Sequence, residues 1–424
     1  MDHFNLRHGI AHCEDVPLPA LAEAVGTPVY VYSTATLRRH AAVMREALAG
    51  LDEPIVAYAV KANPNAAVLA TLAREGLGAD VVSGGEYRRA RHAGMDPNKI
   101  VFAGVGKTEE EMALALKGGL FQFNIESVAE AETLSRVAQS LGIEAPAGFR
   151  INPDVEAGTH AKITTGAADN KFGVALPDAL DAYAHASRLP GLRLQGVAVH
   201  IGSQLTSLAP LESAFAKIGE LVRDLRAAGC DIRVADLGGG LGVPYDPDLP
   251  PPPSPYDYGE MVARVTRGWG TRLVFEPGRL ITGNAGILLT RVIRVKPGAN
   301  HPFVIVDAAM NDLMRPALYD AWHAIEAVQP TGRRCVANVV GPVCETGDTF
   351  ATARDMDEVR EGDLILFRTA GAYAAAMSST YNSRPLTPEV LVDGGRWAIV
   401  RQRLPLEALI QRDTVPDWLG GTPG

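Results

Sequence analysis

Between Pro54 and Arg279 the chain alternates between short apolar runs and longer stretches with helical spacing. The runs are Ile55–Val60, Gly78–Val82, Ile100–Ala103, Phe121–Ile125, Gly148–Ile151, Leu194–His200, Val234–Leu237 and Leu273–Phe275. Between them lie segments such as Glu109–Lys117, Ser127–Leu141 and Leu211–Ala228, rich in Ala, Leu and Glu. Strand followed by helix, eight times over about 225 residues, is the pattern of a TIM-type (β/α)8 barrel. A doubly wound sheet alternates in the same way, but eight units in this length favour closure.

After Arg279 the texture changes. Gly286–Lys296, Pro302–Asp307, Cys335–Val340, Asp363–Phe367 and Val390–Val400 are β-branched runs broken by Gly and Pro, with few long helical stretches. They predict a second, mainly β domain. The run Thr27–Ser33 precedes the barrel, is itself β-like, and is expected to pair with that domain. The fold class is therefore α/β, with a barrel over residues 34–279 and a β-rich domain built from 1–33 and 280–424. A chain of 424 residues has the length for two such domains.

A formal net charge of −9 supplies no broad positive footprint, which argues against a nucleic-acid binder. No apolar run approaches the roughly 18 residues of a membrane helix, and the polar, mixed-charge segment Met1–Glu14 does not resemble a secretory signal. Cys13, Cys230, Cys335 and Cys344 are scattered without a CxxC pair, so neither a metal site nor a disulfide framework is expected, and a reducing, cytoplasmic setting fits. The Pro-dense segment Asp246–Pro255 predicts a loop.

In a (β/α)8 barrel the chemistry sits where strands end and the following loops begin. Here the first strand ends in Tyr58-Ala-Val-Lys61-Ala-Asn63 and the sixth in His200-Ile-Gly-Ser203-Gln204. The seventh ends in Asp236-Leu-Gly238-Gly239-Gly240 and the eighth in Glu276-Pro-Gly278-Arg279. Taken singly, each has a plain explanation: Lys61 as a solvated surface residue, His200 as a structural histidine, Gly238–Gly240 and Glu276-Pro-Gly as tight turns. Taken together they fit one cofactor, pyridoxal phosphate. That group needs an amine for a covalent link, a carboxylate at its ring nitrogen and backbone amides for its phosphate. Lys61 is the candidate amine and Glu276 the candidate carboxylate. Gly238, Gly239 and Gly240 would let the backbone approach the phosphate. His200 would lie against the ring, and Ser203 would donate to the phosphate.

Further motifs carry a resemblance. They are Asp80-Val-Val-Ser-Gly-Gly-Glu86, Arg150-Ile-Asn-Pro-Asp154, Asn170-Lys-Phe-Gly173 and Gly341-Pro-Val-Cys-Glu-Thr-Gly-Asp348. With the strand-end motifs above, and over nearly the whole chain, they resemble the fold-type III pyridoxal-phosphate-dependent decarboxylases, in particular the branch that acts on meso-2,6-diaminopimelate. The resemblance implies an alanine-racemase-like two-domain architecture and a homodimer with shared active sites. It also implies release of CO2 from meso-diaminopimelate to give L-lysine, the last step of lysine biosynthesis.

It further implies roles for single residues. Lys61 would carry the covalent link, Glu276 would face the ring nitrogen, and Gly238–Gly240 with the Gly278 region would bind phosphate. Arg279, Arg315 and Tyr319 would hold a substrate carboxylate, the last two from Met310-Asn-Asp-Leu-Met-Arg-Pro-Ala-Leu-Tyr319. Cys344 and Glu345 would come from the partner subunit, Cys344, ahead of Lys61, as the proton donor and Glu345 at the substrate's distal ammonium. Tyr373 would contact cofactor and substrate. Without the resemblance, Arg315 and Tyr319 are simply i, i+4 neighbours on a helix, and Cys344 is a small buried apolar residue. The competing functions are decarboxylation of ornithine, arginine, lysine or a carboxylated polyamine, a catalytically silent homologue, and an amino-acid racemase. The racemase lacks an obvious second base.

Overall fold

Eight parallel strands close on themselves in a computed structural model that describes residues 2–156 and 171–420. They are β1 (Ile55–Ala59), β2 (Gly78–Val81), β3 (Ile100–Phe102), β4 (Gln122–Ile125), β5 (Ala145–Asn152), β6 (Leu192–Val199), β7 (Val234–Asp236) and β8 (Arg272–Phe275). Each pairs with the next in sequence, β8 returns to β1, and the β4–β5 pairing completes the ring. All eight expected runs are barrel strands, with ends displaced by at most a few residues. Asn170 of the Asn170–Gly173 motif, Met1 and residues 421–424 lie outside the described residues.

Successive side chains on a strand point to opposite faces, so residues two apart share a face. Ile55, Ala57, Val101, Val234 and Val274 pack into one buried apolar cluster. One step further along the same faces, β7 presents Asp236, and Glu276 follows directly after β8. Apolar packing therefore fills one level of the barrel, and carboxylates occupy the level above it.

The helices between strands start and stop on local signals. Thr108 and Glu111 form a capping box at the start of Glu109–Lys117. Ser127 accepts a hydrogen bond from Glu130 N at the start of Val128–Leu141, which ends at left-handed Gly142. The helix expected over Leu211–Ala228 runs over Ala209–Ala227, led in by Pro210.

The chain divides into two units, Leu37–Gly283 and Met1–Thr36 with Asn284–Gly424. In the second unit Val29–Ser33 pairs antiparallel with Gly286–Lys296 and parallel with Glu389–Asp393, so early and late segments of the chain share one sheet. Val29, Val31, Ile287, Leu289, Leu366, Val390 and Val392 form its core, against which Leu18 and Leu21 pack. Two departures from the sequence expectation stand out. Val390–Val400 is not one stretch but a hairpin of Glu389–Asp393 and Arg396–Arg401, turned by Gly394 at φ 64°. Thr349–Asp357 is a strand, although its charged second half carries no apolar run; pairing with Arg334–Val340 supplies what the local sequence does not.

Among the described residues no helix is long and apolar enough to cross a membrane, and no group of three or more His, Cys, Asp or Glu is placed to hold a metal ion.

Candidate functional site

The C-terminal ends of β1, β2, β4, β7 and β8 bring one lysine and three carboxylates together. Lys61, in the turn after β1, places Nζ 2.9 Å from Asp80 Oδ2 of β2. Asp80 is fully buried, and among the described residues its other oxygen, Oδ1, has no hydrogen-bond partner. Asn124 of β4 donates through Nδ2 to Asp236 Oδ2 at 2.7 Å and to Glu276 Oε1 at 3.4 Å. Gly238 N donates to Asp236 Oδ1 at 2.9 Å. Asp236 and Glu276 also share a side-chain hydrogen bond.

Burial is the largest influence on Asp236 and Glu276, and it raises their pKa values because a low-dielectric interior disfavours charge. Glu276 is held well above the usual carboxylate range by burial, then by repulsion from Asp236 and Asp80, with Lys61 opposing. Asp236 is raised by burial too, and the hydrogen bonds from Asn124, Gly238 and Glu276 hold it back. A group whose folded pKa exceeds its unfolded value binds more protons in the native state. Stability is then greatest below the unfolded pKa and is lost as pH rises through the folded one. The cofactor-free protein should therefore lose thermal stability as pH rises above about 5, and Asp236→Asn should flatten that decline. Calorimetric scans of both proteins from acid to neutral pH measure it, and parallel curves would refute the assignment.

The rim around this cluster is built by loops that hold one another. His200 follows β6, and its Nδ1 accepts a hydrogen bond from Gly239 N at 3.4 Å. Burial and the nearby Arg150 and Lys61 charges keep its pKa well below the ordinary histidine value, so the ring is neutral. Gly238 has φ 66°, and an added Cβ there would lie 2.5 Å from Val199 O, so only glycine fits. At Gly239 a Cβ would meet Glu276 O at 2.2 Å. Arg279 is buried and donates to Tyr245 OH at 2.6 Å and Ser203 Oγ at 3.1 Å. Gln204 clamps the following loop, donating to Val243 O at 2.7 Å and accepting from Val243 N at 3.2 Å. Gly278 immediately precedes the short helix Arg279–Thr282.

Thus Lys61, His200, Ser203, Gly238, Gly239, Gly240, Glu276 and Gly278 sit at strand ends or in the turns and loops that follow them, and Arg279 opens the short helix after β8. Sequence reasoning missed Asp80, Asn124, Asp236 and Tyr245. Asp80 and Asp236 had a signal: each is a lone carboxylate within a run of otherwise apolar residues, an expensive placement unless it is used. Tyr245 had none, because only the fold brings its loop to Arg279. Arg150 and Glu126 were present in or beside quoted motifs without a role. Arg150 donates to Glu126 Oε1 and to His200 O, both at 3.3 Å, and lies 4.6 Å from the Phe172 ring centroid. Glu126 Oε2 accepts from Gly173 N at 2.7 Å, so this pair fixes the described end of the Asn170–Gly173 motif.

In the other unit, Arg315 and Tyr319 open and close the short helix Arg315–Tyr319. Arg315 is buried and donates to His323 Nε2 at 3.1 Å, while His323 Nδ1 lies 2.8 Å from Arg368 O. The base-rate expectation of a buried Cys344 is wrong: the residue is exposed. Its neighbour Glu345 accepts from Tyr381 OH at 2.9 Å. Asp348, unnoticed in sequence as more than the end of a motif, shapes this loop. It is buried and accepts from Val343 N at 2.7 Å and Met310 N at 2.6 Å, which ties the Cys344 loop to the Met310 segment. Tyr373 has φ 54°, an uncommon backbone conformation for a tyrosine.

Residues 34–283 match the family described as pyridoxal-dependent decarboxylase, pyridoxal binding domain. A curated diaminopimelate decarboxylase of Zymomonas mobilis is 55% identical over 418 residues, covering 98% of this chain and 99% of that protein. A diaminopimelate decarboxylase from M. jannaschii, solved in co-complex with L-lysine, superposes with a TM-score of 0.95 at 35% identity and covers 99% of both chains. One from Helicobacter pylori, also complexed with L-lysine, gives a TM-score of 0.90 at 40% identity, covering 93% of this chain and 98% of that one.

Proposed function

This chain belongs to the diaminopimelate decarboxylases within the pyridoxal-dependent decarboxylase family, and from that premise we propose how its residues release CO2 from meso-2,6-diaminopimelate to leave L-lysine. The observation that carries the proposal is the cluster of Asp80, Asp236 and Glu276, two buried carboxyls and one half-buried, with Lys61 beside them. Such a cluster holds more potential negative charge than one lysine offsets. A protonated pyridine nitrogen facing Glu276 adds the missing positive charge, so the residues present fit pyridoxal phosphate.

Lys61 would hold the cofactor covalently, Glu276 would face its ring nitrogen, and His200, neutral, would lie against the ring without adding a competing charge. Gly238, Gly239, Gly240, Gly278 and Ser203 would take the phosphate: Ser203 Oγ accepts from Arg279 and keeps its own proton to donate. When bound, the cofactor supplies an electron sink for the bond to the departing carboxylate. The protein supplies orientation. Arg279, Arg315 and Tyr319 would hold the carboxylate that is retained, and Tyr373 would contact cofactor and substrate. Binding energy at that remote end aligns the reacting end. We assign Cys344 Sγ, delivered by a second copy of the chain, as the donor that returns a proton to the substrate carbon, and Glu345 beside it as the partner of the distal ammonium. The working unit is then a homodimer. We place it in the cytoplasm, where its four scattered cysteines remain thiols.

The two arginines decide between this substrate and its rivals, because ornithine and lysine have no second carboxylate to hold. Arg315→Met should lower kcat/KM for meso-diaminopimelate by roughly 100-fold or more, the scale for removing one side of a charge-assisted pair, and leave cofactor retention intact. Steady-state kinetics with cofactor absorbance on the same preparation test this, and unchanged kinetics would remove Arg315 from the site.

CO2 release from cofactor-loaded protein, compared across meso-diaminopimelate, L-ornithine, L-arginine and L-lysine, tests the function as a whole. Release from diaminopimelate alone, with L-lysine as product, is expected. Release from another substrate would move the specificity, and release from none, with cofactor still bound to Lys61, would indicate a silent homologue.

A further inference from the structure

Below the carboxylates, the barrel interior carries a row of buried amides that the catalytic assignment leaves unused. Arg193, partly exposed at the start of β6, donates through Nη1 to Gln195 Oε1. Gln195 donates through Nε2 to Gln122 Oε1 at 3.4 Å and to Phe121 O at 3.2 Å. Gln122, fully buried on β4, donates through Nε2 to Asn124 Oδ1 at 2.9 Å. Asn124 in turn donates to Asp236 at 2.7 Å and to Glu276 at 3.4 Å.

Every link runs the same way. A guanidinium stands at one end, a carboxyl pair at the other, and each amide turns its NH2 group toward the carboxyls. Barrel interiors of this kind are ordinarily packed with Val, Ile and Leu, so a row of polar side chains there needs a purpose or a structural reason. Space has been made for it: a Cβ at residue 196 would lie 2.3 Å from Gln122 Oε1, so Gly196 gives the Gln122 amide its room in the middle of β6.

An isolated asparagine can present either its oxygen or its nitrogen to a neighbour at equal cost. Asn124 cannot, because reversing it would set its amide nitrogen against Gln122 Nε2, donor to donor, and its oxygen against Asp236. Gln122 is fixed in the same way by Gln195, and Gln195 by Arg193.

We propose that Gln122, Gln195 and Arg193 are positioning residues that lock the Asn124 amide with its NH2 toward the Asp236–Glu276 carboxyls. The chain thereby favours the ionised form of the pair that faces the cofactor nitrogen, against the repulsion the pair receives from Asp80 and with the attraction of Lys61. This inference rests on the cofactor assignment above for its catalytic consequence, but its electrostatic consequence belongs to the protein alone.

The test is Gln122→Met, close in volume and without the amide, made in the wild-type and in the Glu276→Gln background. In the wild-type background kcat should fall about tenfold, as expected for weakening a hydrogen bond to a charged group, with KM for meso-diaminopimelate within about twofold. In the Glu276→Gln background, where residue 276 has no charge to stabilise, the same substitution should change kcat by less than about twofold. The second readout needs no cofactor. In the cofactor-free protein, the decline of Tm with rising pH should extend to higher pH in Gln122→Met, and this extension should vanish when Asp236→Asn and Glu276→Gln are both added.

An equal kcat factor in both backgrounds, or an unchanged pH profile of Tm, would reduce Gln122 to packing and overturn the proposal. If Gln122→Met does not fold, Gln195→Met, one link further from the carboxyls, carries the same cycle with the same criteria. If the wild-type protein releases no CO2, the function fails and the cofactor-free profile still decides this inference.

Discussion

Replacing Lys61 with alanine should give a protein with no visible cofactor band and with turnover reduced roughly 10⁴-fold or more, the scale for losing a residue that acts as part of a unit. A second effect follows from the contact with Asp80. Without the ammonium 2.9 Å away, Asp80 keeps no cation among the described residues, and it is already buried with Oδ1 unpartnered among them. The cofactor-free variant should lose about 2 kcal/mol of stability, the scale for stranding a buried polar group, reduced because the Lys61 side chain is itself partly exposed. Adding Asp80→Asn should recover most of that loss. Calorimetry on the single and double variants separates this from a general folding defect, and a double variant as unstable as the single one would break the link.

The same variant tests the shared site. Lys61→Ala and Cys344→Ala should each be inactive alone. Dissociated, mixed in equal amounts and reassociated, they should regain about a quarter of wild-type activity: half of the dimers are hybrids, each with one intact site. No recovery would mean that both residues act within one chain, or that Cys344 does not act at all.

Glu276→Gln should lower kcat on the order of 10²–10³-fold, the range for removing one preorganised electrostatic partner, while the cofactor stays bound through Lys61 and the phosphate site. Its cofactor-free form should behave in the opposite sense from Lys61→Ala. Removing one of three neighbouring carboxyls relieves repulsion, so Tm should rise at neutral pH and its decline with pH should flatten. A drop in both activity and Tm would indicate that the side chain is needed for packing rather than charge. The two substitutions thus bracket one balance: too little positive charge destabilises the empty barrel, and too little negative charge disables the loaded one.

How much of this was legible in the sequence depends on how local its cause is. The barrel strands were, because a parallel strand buried among helices must be apolar over its own few residues, and Ile55–Ala59 or Arg272–Phe275 announce that without help. Helix starts at Thr108 and Ser127 were equally local, each a side chain bonded to an amide three residues on. The glycines at 238–240 and the lysine and glutamate at strand ends were legible because this architecture puts strand ends at one mouth. Thr349–Asp357 was not: its strand character is conferred by Arg334–Val340 across the ladder, which leaves no mark in the residues themselves.

Alone, the sequence determined the repeating strand–helix order, the change of texture after Arg279 and the residue types placed at the barrel mouth. Tertiary structure alone decided that Asn124, Asp236 and Glu276 share hydrogen bonds, that Tyr245 meets Arg279, and that an oriented row of amides runs beneath the carboxyls. The physical reason is range. Propensity, capping and alternation act over a few neighbouring residues, whereas the ionisation of a buried carboxyl depends on every charge and dipole around it, and barrel closure draws those from distant strands, Asn124 and Glu276 being 152 residues apart in the chain.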